Sequence, residues 1–251
     1  MQQGRIYLDN CVTSKTAPEV IKEMLPYFEE EYWFPGTFIS TGESTNALLN
    51  RAQTMVAESL GAQANEIHFT SGGTLANNIA IKGLANAYKK QGNHIIVSVV
   101  DYPDLLTNAA YLEKNGFDVT YLMADSEGFI SLNELKNAIR KDTIMFMTTA
   151  VNHTVGTIQP LPQIKEILES ADHKIYFHLD AGQGYGKIPL NVNELGVDTM
   201  SISAHKIHGP QGIGALYLRT GTKLAQLIHG VKRVDKLQTG GLSIALIAGF
   251  A

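Results

Sequence analysis

Seven short apolar segments rich in β-branched residues, set among longer stretches of helical period, constrain this chain more than any other feature. The candidate strands run from Glu66 to Thr70, His94 to Val99, Val119 to Leu122, Thr143 to Thr149, Lys174 to Leu179, Asp198 to Ser203 and Gly214 to Leu218. Their near-continuous apolar character predicts strands covered on both faces, as in a parallel sheet. Amphipathic stretches from Thr74 to Tyr88, Leu105 to Asn115, Leu132 to Ile139 and Leu161 to Ser170 lie between them. Two more, Ala17 to Glu30 and Ser44 to Leu60, precede the first strand. Strand–helix alternation of this kind predicts an α/β domain with a mostly parallel sheet.

The 251 residues suffice for one large domain with a substantial core. With a formal net charge of −4 and no basic cluster, nothing points to nucleic acid. No apolar run approaches the roughly 18 residues of a membrane span, and Met1 to Arg5 lead into no signal-peptide apolar core. The single cysteine, Cys11, excludes an intrachain disulfide and a cysteine-based metal cluster. It is expected to be a small buried apolar side chain. A soluble cytoplasmic protein is expected. The last residues, Leu242 to Ala251, form an apolar helical stretch without a stop signal, so a further domain or a partner polypeptide is expected after it.

In open α/β sheets ligands bind beyond the carboxyl ends of the strands, so the residues just after each strand are the candidates for a site. After the first comes Thr70-Ser71-Gly72-Gly73-Thr74, a glycine-rich turn into a helix. It is a phosphate cradle or a plain turn, with Thr74 as the expected helix cap. After the fifth comes Asp180, a carboxylate at a buried strand end that needs a partner, or else a helix cap. After the sixth comes Lys206. A partly desolvated lysine there has a lowered pKa and can form a Schiff base, whereas on an open loop it is a surface charge. Together the three supply the groups that pyridoxal 5′-phosphate (PLP) requires: a seat for its phosphate, an acid for its pyridine nitrogen and an amine for its aldehyde.

Ser203-Ala204-His205-Lys206-Ile207-His208-Gly209-Pro210 resembles the lysine motif of the NifS/IscS cysteine desulfurases, in the class-V aminotransferase group of fold-type I PLP enzymes. Tyr7 to Asn10, Phe69 to Asn78, Val151 to Gly156 and His178 to Gln183 match the same family in register. The resemblance implies a three-layer α/β/α large domain with a seven-stranded sheet, one strand antiparallel, for which Gly214 to Leu218 is the candidate. It divides the chain into a loosely held N-terminal segment, residues 1–14, and a PLP-binding domain, residues 15–251. It implies that Lys206 carries the cofactor and moves protons, and that Asp180 pairs with the pyridine nitrogen. Gln183 and Asn152 would lie near the ring phenolate oxygen, and Gly73, Thr74, Ser203 and His205 would hold the phosphate. It also implies a homodimer, a cysteine-like amino-acid substrate and a sulfur-acceptor protein.

Four departures from the family pattern stand out. Tyr102 replaces the ring-stacking histidine; its aromatic face can stack, but its ordinary pKa near 10 does not serve proton transfer at neutral pH. Phe34-Pro35-Gly36-Thr37-Phe38-Ile39 replaces a more polar entrance segment. Gln238 and Gly241 replace an arginine and a threonine that reaches the partner subunit's phosphate site. The chain stops where the family's small domain, with its catalytic cysteine and carboxylate-binding arginine, would begin, and Cys11 does not take that cysteine's place. Three readings remain open: a desulfurase or selenocysteine-lyase-like enzyme completed by a separate chain, another class-V aminotransferase or lyase, and a non-catalytic PLP-binding or dimerisation scaffold.

Overall fold

The computed structural model describes residues 6–36, 41–230, 237 and 240–251. Seven strands form one sheet: β1 (Ile67–Thr70), β2 (His94–Ser98), β3 (Asp118–Leu122), β4 (Thr143–Thr149), β5 (Tyr176–Asp180), β6 (Thr199–Ser203) and β7 (Gly214–Leu218). Their spatial order is β1-β7-β6-β5-β4-β2-β3. The five strands from β6 to β3 run parallel, and β7 runs antiparallel to both its neighbours, as the resemblance implied. β2, β4 and β6 are buried along their whole length, which is why they read as unbroken apolar runs.

Nine α-helices occur among the described residues: α1 (Pro18–Met24), α2 (Pro26–Glu29), α3 (Thr41–Leu60), α4 (Gly73–Tyr88), α5 (Pro103–Lys114), α6 (Leu132–Ala138), α7 (Leu161–Glu169), α8 (Val192–Leu195) and α9 (Ile244–Phe250). The period-two alternation of the strands sorts side chains between two helical layers. Ile95, Val97, Met145 and Met147 pack with the α4 and α5 side chains Leu84, Ala109 and Leu112. Ile96, Phe146, Phe177 and Leu179 point the other way, into the cluster that includes Leu60 of α3, Ile164 of α7 and Ile247 of α9. Each such fully buried side chain contributes about 1.5–3 kcal/mol. No helix of the described residues is long and apolar enough to cross a membrane.

Several expectations need correction. The single helix expected from Ala17 to Glu30 is two, α1 and α2, because Pro26 lacks an N–H and its ring displaces the carbonyl four residues back. Cys11 is exposed rather than buried, since it sits on a turn outside the sheet, where its thiol donates to Asp9 Oδ1 at 3.1 Å. The segment before residue 15 is not loose throughout. Ile6 and Leu8 are exposed, but buried Ser14 donates its backbone N–H (2.7 Å) and its hydroxyl (2.9 Å) to the His205 carbonyl. The same hydroxyl accepts from the His208 backbone N–H at 2.7 Å, so this segment is laced to the loop that carries Lys206. The C-terminal stretch folds as α9, with the Phe250 ring edge-on to Phe69 at 6.2 Å and to Tyr185 at 6.1 Å.

Candidate functional site

The carboxyl ends of β1, β4, β5 and β6 meet at one edge of the sheet, and most of the residues singled out above gather there. β1 ends in Thr70, whose hydroxyl donates to the Gly72 carbonyl at 2.9 Å. Gly72, at φ 146°, is the N-cap of α4 and adopts a conformation closed to other residues. Thr74 therefore does not cap this helix. It lies one position past the first helical residue, exposed, and no side chain makes the cap bond. Gly73 is required by close approach, because a Cβ there would stand 2.7 Å from Ser203 Oγ. The turn from Ser71 to Thr74, His205 and the Gln211 to Ile213 segment line one cavity of about 580 Å³.

Asp180 ends β5, in register with Thr149 of β4 and Ser201 of β6. Its Oδ1 accepts the Gly182 N–H at 2.8 Å and its Oδ2 accepts from Asn77 Nδ2 at 2.8 Å. Burial pushes its pKa up, while the Gly182 N–H, the Asn77 amide and the Lys206 ammonium oppose that rise. Lys206 closes the short 3₁₀ turn Ala204–Lys206 that follows β6. Burial lowers its pKa and Asp180 holds it up in part. Three polar groups converge on a single point: a Cβ on Gly182 would stand 3.1 Å from Asp180 Oδ1, 3.7 Å from Lys206 Nζ and 3.7 Å from Ser203 Oγ.

Tyr102 is the N-cap of α5, and Lys206 Nζ lies 4.8 Å from the centroid of its ring. The His153 ring meets the same ring nearly at right angles, 5.0 Å away. The turn before α5 is anchored by Asp101, whose buried carboxylate accepts from Ser98 N, Thr148 Oγ1, Thr149 N and Thr149 Oγ1 at 2.7–3.1 Å. Burial nevertheless raises its pKa to about 7. His205, half-buried beside Lys206, is pushed down by burial and by the lysine charge.

Two of the predicted residues bond to other partners. Asn152 donates to the Val100 carbonyl at 2.7 Å and accepts from the backbone N–H groups of Thr154 and Val155, so most of its amide is spent holding its own turn. Gln183 donates to the Cys11 carbonyl at 2.7 Å and accepts from Lys187 at 3.4 Å. Of the departures, Thr37 to Ile39 and Gln238 lie outside the described residues. Two others meet: a Cβ on Gly241 would stand 3.0 Å from Phe34 Cε2.

Asn77 and His178 escaped sequence reasoning, although both left a signal. Asn77 is a polar residue on the apolar face of α4, between Ala76 and Ile79, and His178 shares a strand face with Asp180 two residues on.

The aminotransferase class-V family pattern matches residues 6–245. The cysteine desulfurase IscS of Clostridium botulinum is 45% identical over 243 residues, which are 95% of this chain and 61% of that protein. The mitochondrial cysteine desulfurase of Candida maltosa is 43% identical over 98% of this chain and 51% of its own length. The chain thus spans between half and two thirds of the curated relatives it matches. Among solved structures, a NifS-like protein superposes with a TM-score of 0.95 at 35% identity, covering 98% of this chain and 68% of that one. SspA in complex with cysteine gives 0.93 at 34%, with 98% and 71% covered.

Proposed function

The chain belongs to the class-V aminotransferase family, and from that premise we propose that it binds PLP and takes part in a cysteine desulfurase type of reaction on a cysteine-like amino acid. The observation that carries this reading is the convergence of Asp180 Oδ1, Lys206 Nζ and Ser203 Oγ about Gly182. The residues fit the cofactor. The pinch between Gly73 and Ser203 leaves backbone N–H groups of the α4 N-terminus open toward a phosphate. His205, Ser203 and the Thr74 hydroxyl complete that seat. Asp180 suits the pyridine nitrogen and Tyr102 the ring face. When bound, PLP supplies an electron sink for the bonds around the amino acid's α-carbon.

Lys206 is the proton-handling group in this proposal. Its lowered pKa keeps a share of the amine neutral, able both to bond covalently to an aldehyde and to accept a proton near the α-carbon. As a carboxylate, Asp180 would favour a proton on the pyridine nitrogen of the bound cofactor. Tyr102, whose ring lies 4.8 Å from Lys206 Nζ, would screen the lysine and a cofactor ring from water. Gln183 and Asn152 act mainly on structure here, the first tying the Cys11 turn to the sheet edge and the second shaping the turn before Gly156.

Residues 15–251 as the PLP-binding unit, a cytoplasmic homodimer and a sulfur-acceptor or separate C-terminal chain belong to the same proposal. In its support, Ile6, Leu8, Phe28 and Tyr32 present exposed apolar side chains that an adjoining surface would cover. Tyr102, in place of a group that titrates near neutrality, favours a second reading, a class-V lyase or aminotransferase acting on another amino acid. The deciding experiment is an absorption spectrum with added PLP, followed by borohydride reduction and peptide mapping. A pyridoxyl adduct on Lys206, with sulfide released from cysteine, supports the first reading. An adduct with band shifts only for other amino acids supports the second. No adduct leaves a scaffold without cofactor and refutes both.

A further inference from the structure

We propose that Asn77 and His178 are positioning residues which, with Thr199, form a one-way hydrogen-bond relay ending on Asp180. The inference rests on the reading of Asp180 as the partner of the cofactor's pyridine nitrogen. Its evidence lies in three buried side chains, Asn77, His178 and Thr199, that lead to the partly buried Asp180 at the end of β5.

The direction of each bond follows from the last one. An ionised carboxylate has only acceptors, so Asn77 Nδ2 donates to Asp180 Oδ2 at 2.8 Å. That orientation turns Asn77 Oδ1 toward His178 Nε2, 3.0 Å away. An amide oxygen carries no proton, so His178 carries its proton on Nε2. A neutral imidazole then has a bare Nδ1, which accepts from the Thr199 hydroxyl at 2.9 Å. Burial keeps the imidazole neutral by pushing its pKa down to about 3. Asn77 is 1% exposed, and His178 and Thr199 are fully buried, so water does not compete for these bonds.

The fold explains why the four meet. His178 and Asp180 lie two residues apart on one face of β5, and Thr199 of β6 is the registered neighbour of His178. Asn77 sits one turn inside α4, the helix whose N-terminus forms the glycine-rich cradle. The charged groups that act on Asp180 are Lys206, from the turn after β6, and Asp104, from α5. No charged side chain perturbs His178, whose shift comes from burial alone. The relay therefore offers Asp180 a proton donor that cannot become an acceptor without reversing two further bonds. A protonated Asp180 loses that fit, so the relay favours the ionised carboxylate and aims it.

The test has two arms, the first independent of the cofactor. In the chain labelled with ¹⁵N-histidine, with the His178 resonances identified by their loss in His178→Gln, His178 is expected as the neutral Nε2–H tautomer down to about pH 5. An Nδ1–H tautomer, or an imidazolium at that pH, overturns the relay. In the second arm PLP is added and the acid-side midpoint of its visible band is tracked. Removing a donor raises a carboxylate's pKa. Asn77→Leu is expected to raise the midpoint by about one pH unit, His178→Phe by less, and the mild Thr199→Val by least. His178→Gln, which keeps an N–H for Asn77, returns it toward the original. Midpoints unmoved in all the folded variants overturn the positioning role. A chain that takes up no PLP sinks the cofactor reading, and the tautomer still decides the relay.

Discussion

On the floor of the site, Asp180, Asn77, His178 and Thr199 are joined by bonds of 2.8–3.0 Å inside the protein. At the rim, Ile6 and Leu8 are 85% exposed and Phe28 60%. The floor is made of strand positions and one helix face, so register places each atom. The rim is made of turns and short helices outside the sheet, held at a few points such as Ser14. Phe34 and Gly241 face each other, so that a side chain at one crowds the other, whereas Asp180, Ser203 and Lys206 gather about Gly182. Tyr102 marks the boundary: its backbone is fixed by the buried Asp101 turn, and its ring faces the site.

The largest test of this contrast sets one residue of each region against the other. Asn77→Leu strands the His178 N–H and an Asp180 oxygen, and is expected to cost about 3 kcal/mol in denaturant unfolding. Phe28→Ser at the rim is expected to stay within about 0.5 kcal/mol. Equal losses would erase the distinction.

The next test uses pH. The folded protein holds His178 near 3, while the unfolded chain titrates at the ordinary value of 6.5, so between these values only the unfolded state takes up the proton. Stability is lost as pH falls from about 6.5 toward 3, by about 1.4 kcal/mol per unit at most. Asp101, raised to about 7, acts in the opposite sense, since between 3.8 and 7 the folded state retains the proton and gains as pH falls. Comparison with His178→Gln cancels the Asp101 contribution. The stability difference between the original and this variant should shift against the original as pH drops from about 6.5 to 4 in urea titrations.

A smaller effect is expected at the rim. Gly241→Thr restores a side chain of the family's pattern, but its Cβ would meet Phe34, so alone it should cost about 1 kcal/mol and leave PLP retention through dialysis unchanged. Combined with Phe34→Asn it should fold normally and retain PLP longer. The smallest effect belongs to Cys11. The hydrogen bond to Asp9 raises its thiol pKa, so alkylation at about pH 8 should run slower than for free cysteine. The modified protein should keep its fold and its capacity for PLP, as read by mass and absorption.

Much of the fold is legible because burial on both faces writes strands as continuous apolar runs: Thr143 to Thr149 reads with both ends correct. The antiparallel β7 comes through the resemblance, since its apolar run alone does not give direction. Asp180 and Lys206 are legible as strand-end residues whose chemistry packing does not require, whereas Ser203 comes through the resemblance. Other features depend on facts a linear pattern does not carry. Thr74 reads as a cap, a position that strand β1 hands to Gly72. Cys11 reads as internal because free cysteine usually is, and only the turn's position puts it outside. The relay stays hidden because Asn77 and His178 are about a hundred residues apart, and each alone reads as an ordinary buried polar side chain.

One helix, α4, both begins at the glycine-rich turn, capped by Gly72, and grips Asp180 through Asn77. It behaves as the fixed jaw of a caliper. Gly72 caps this helix and Asn77 lies one turn inside it, so the spacing between the two contacts is set by rigid helix and not by the loops around it.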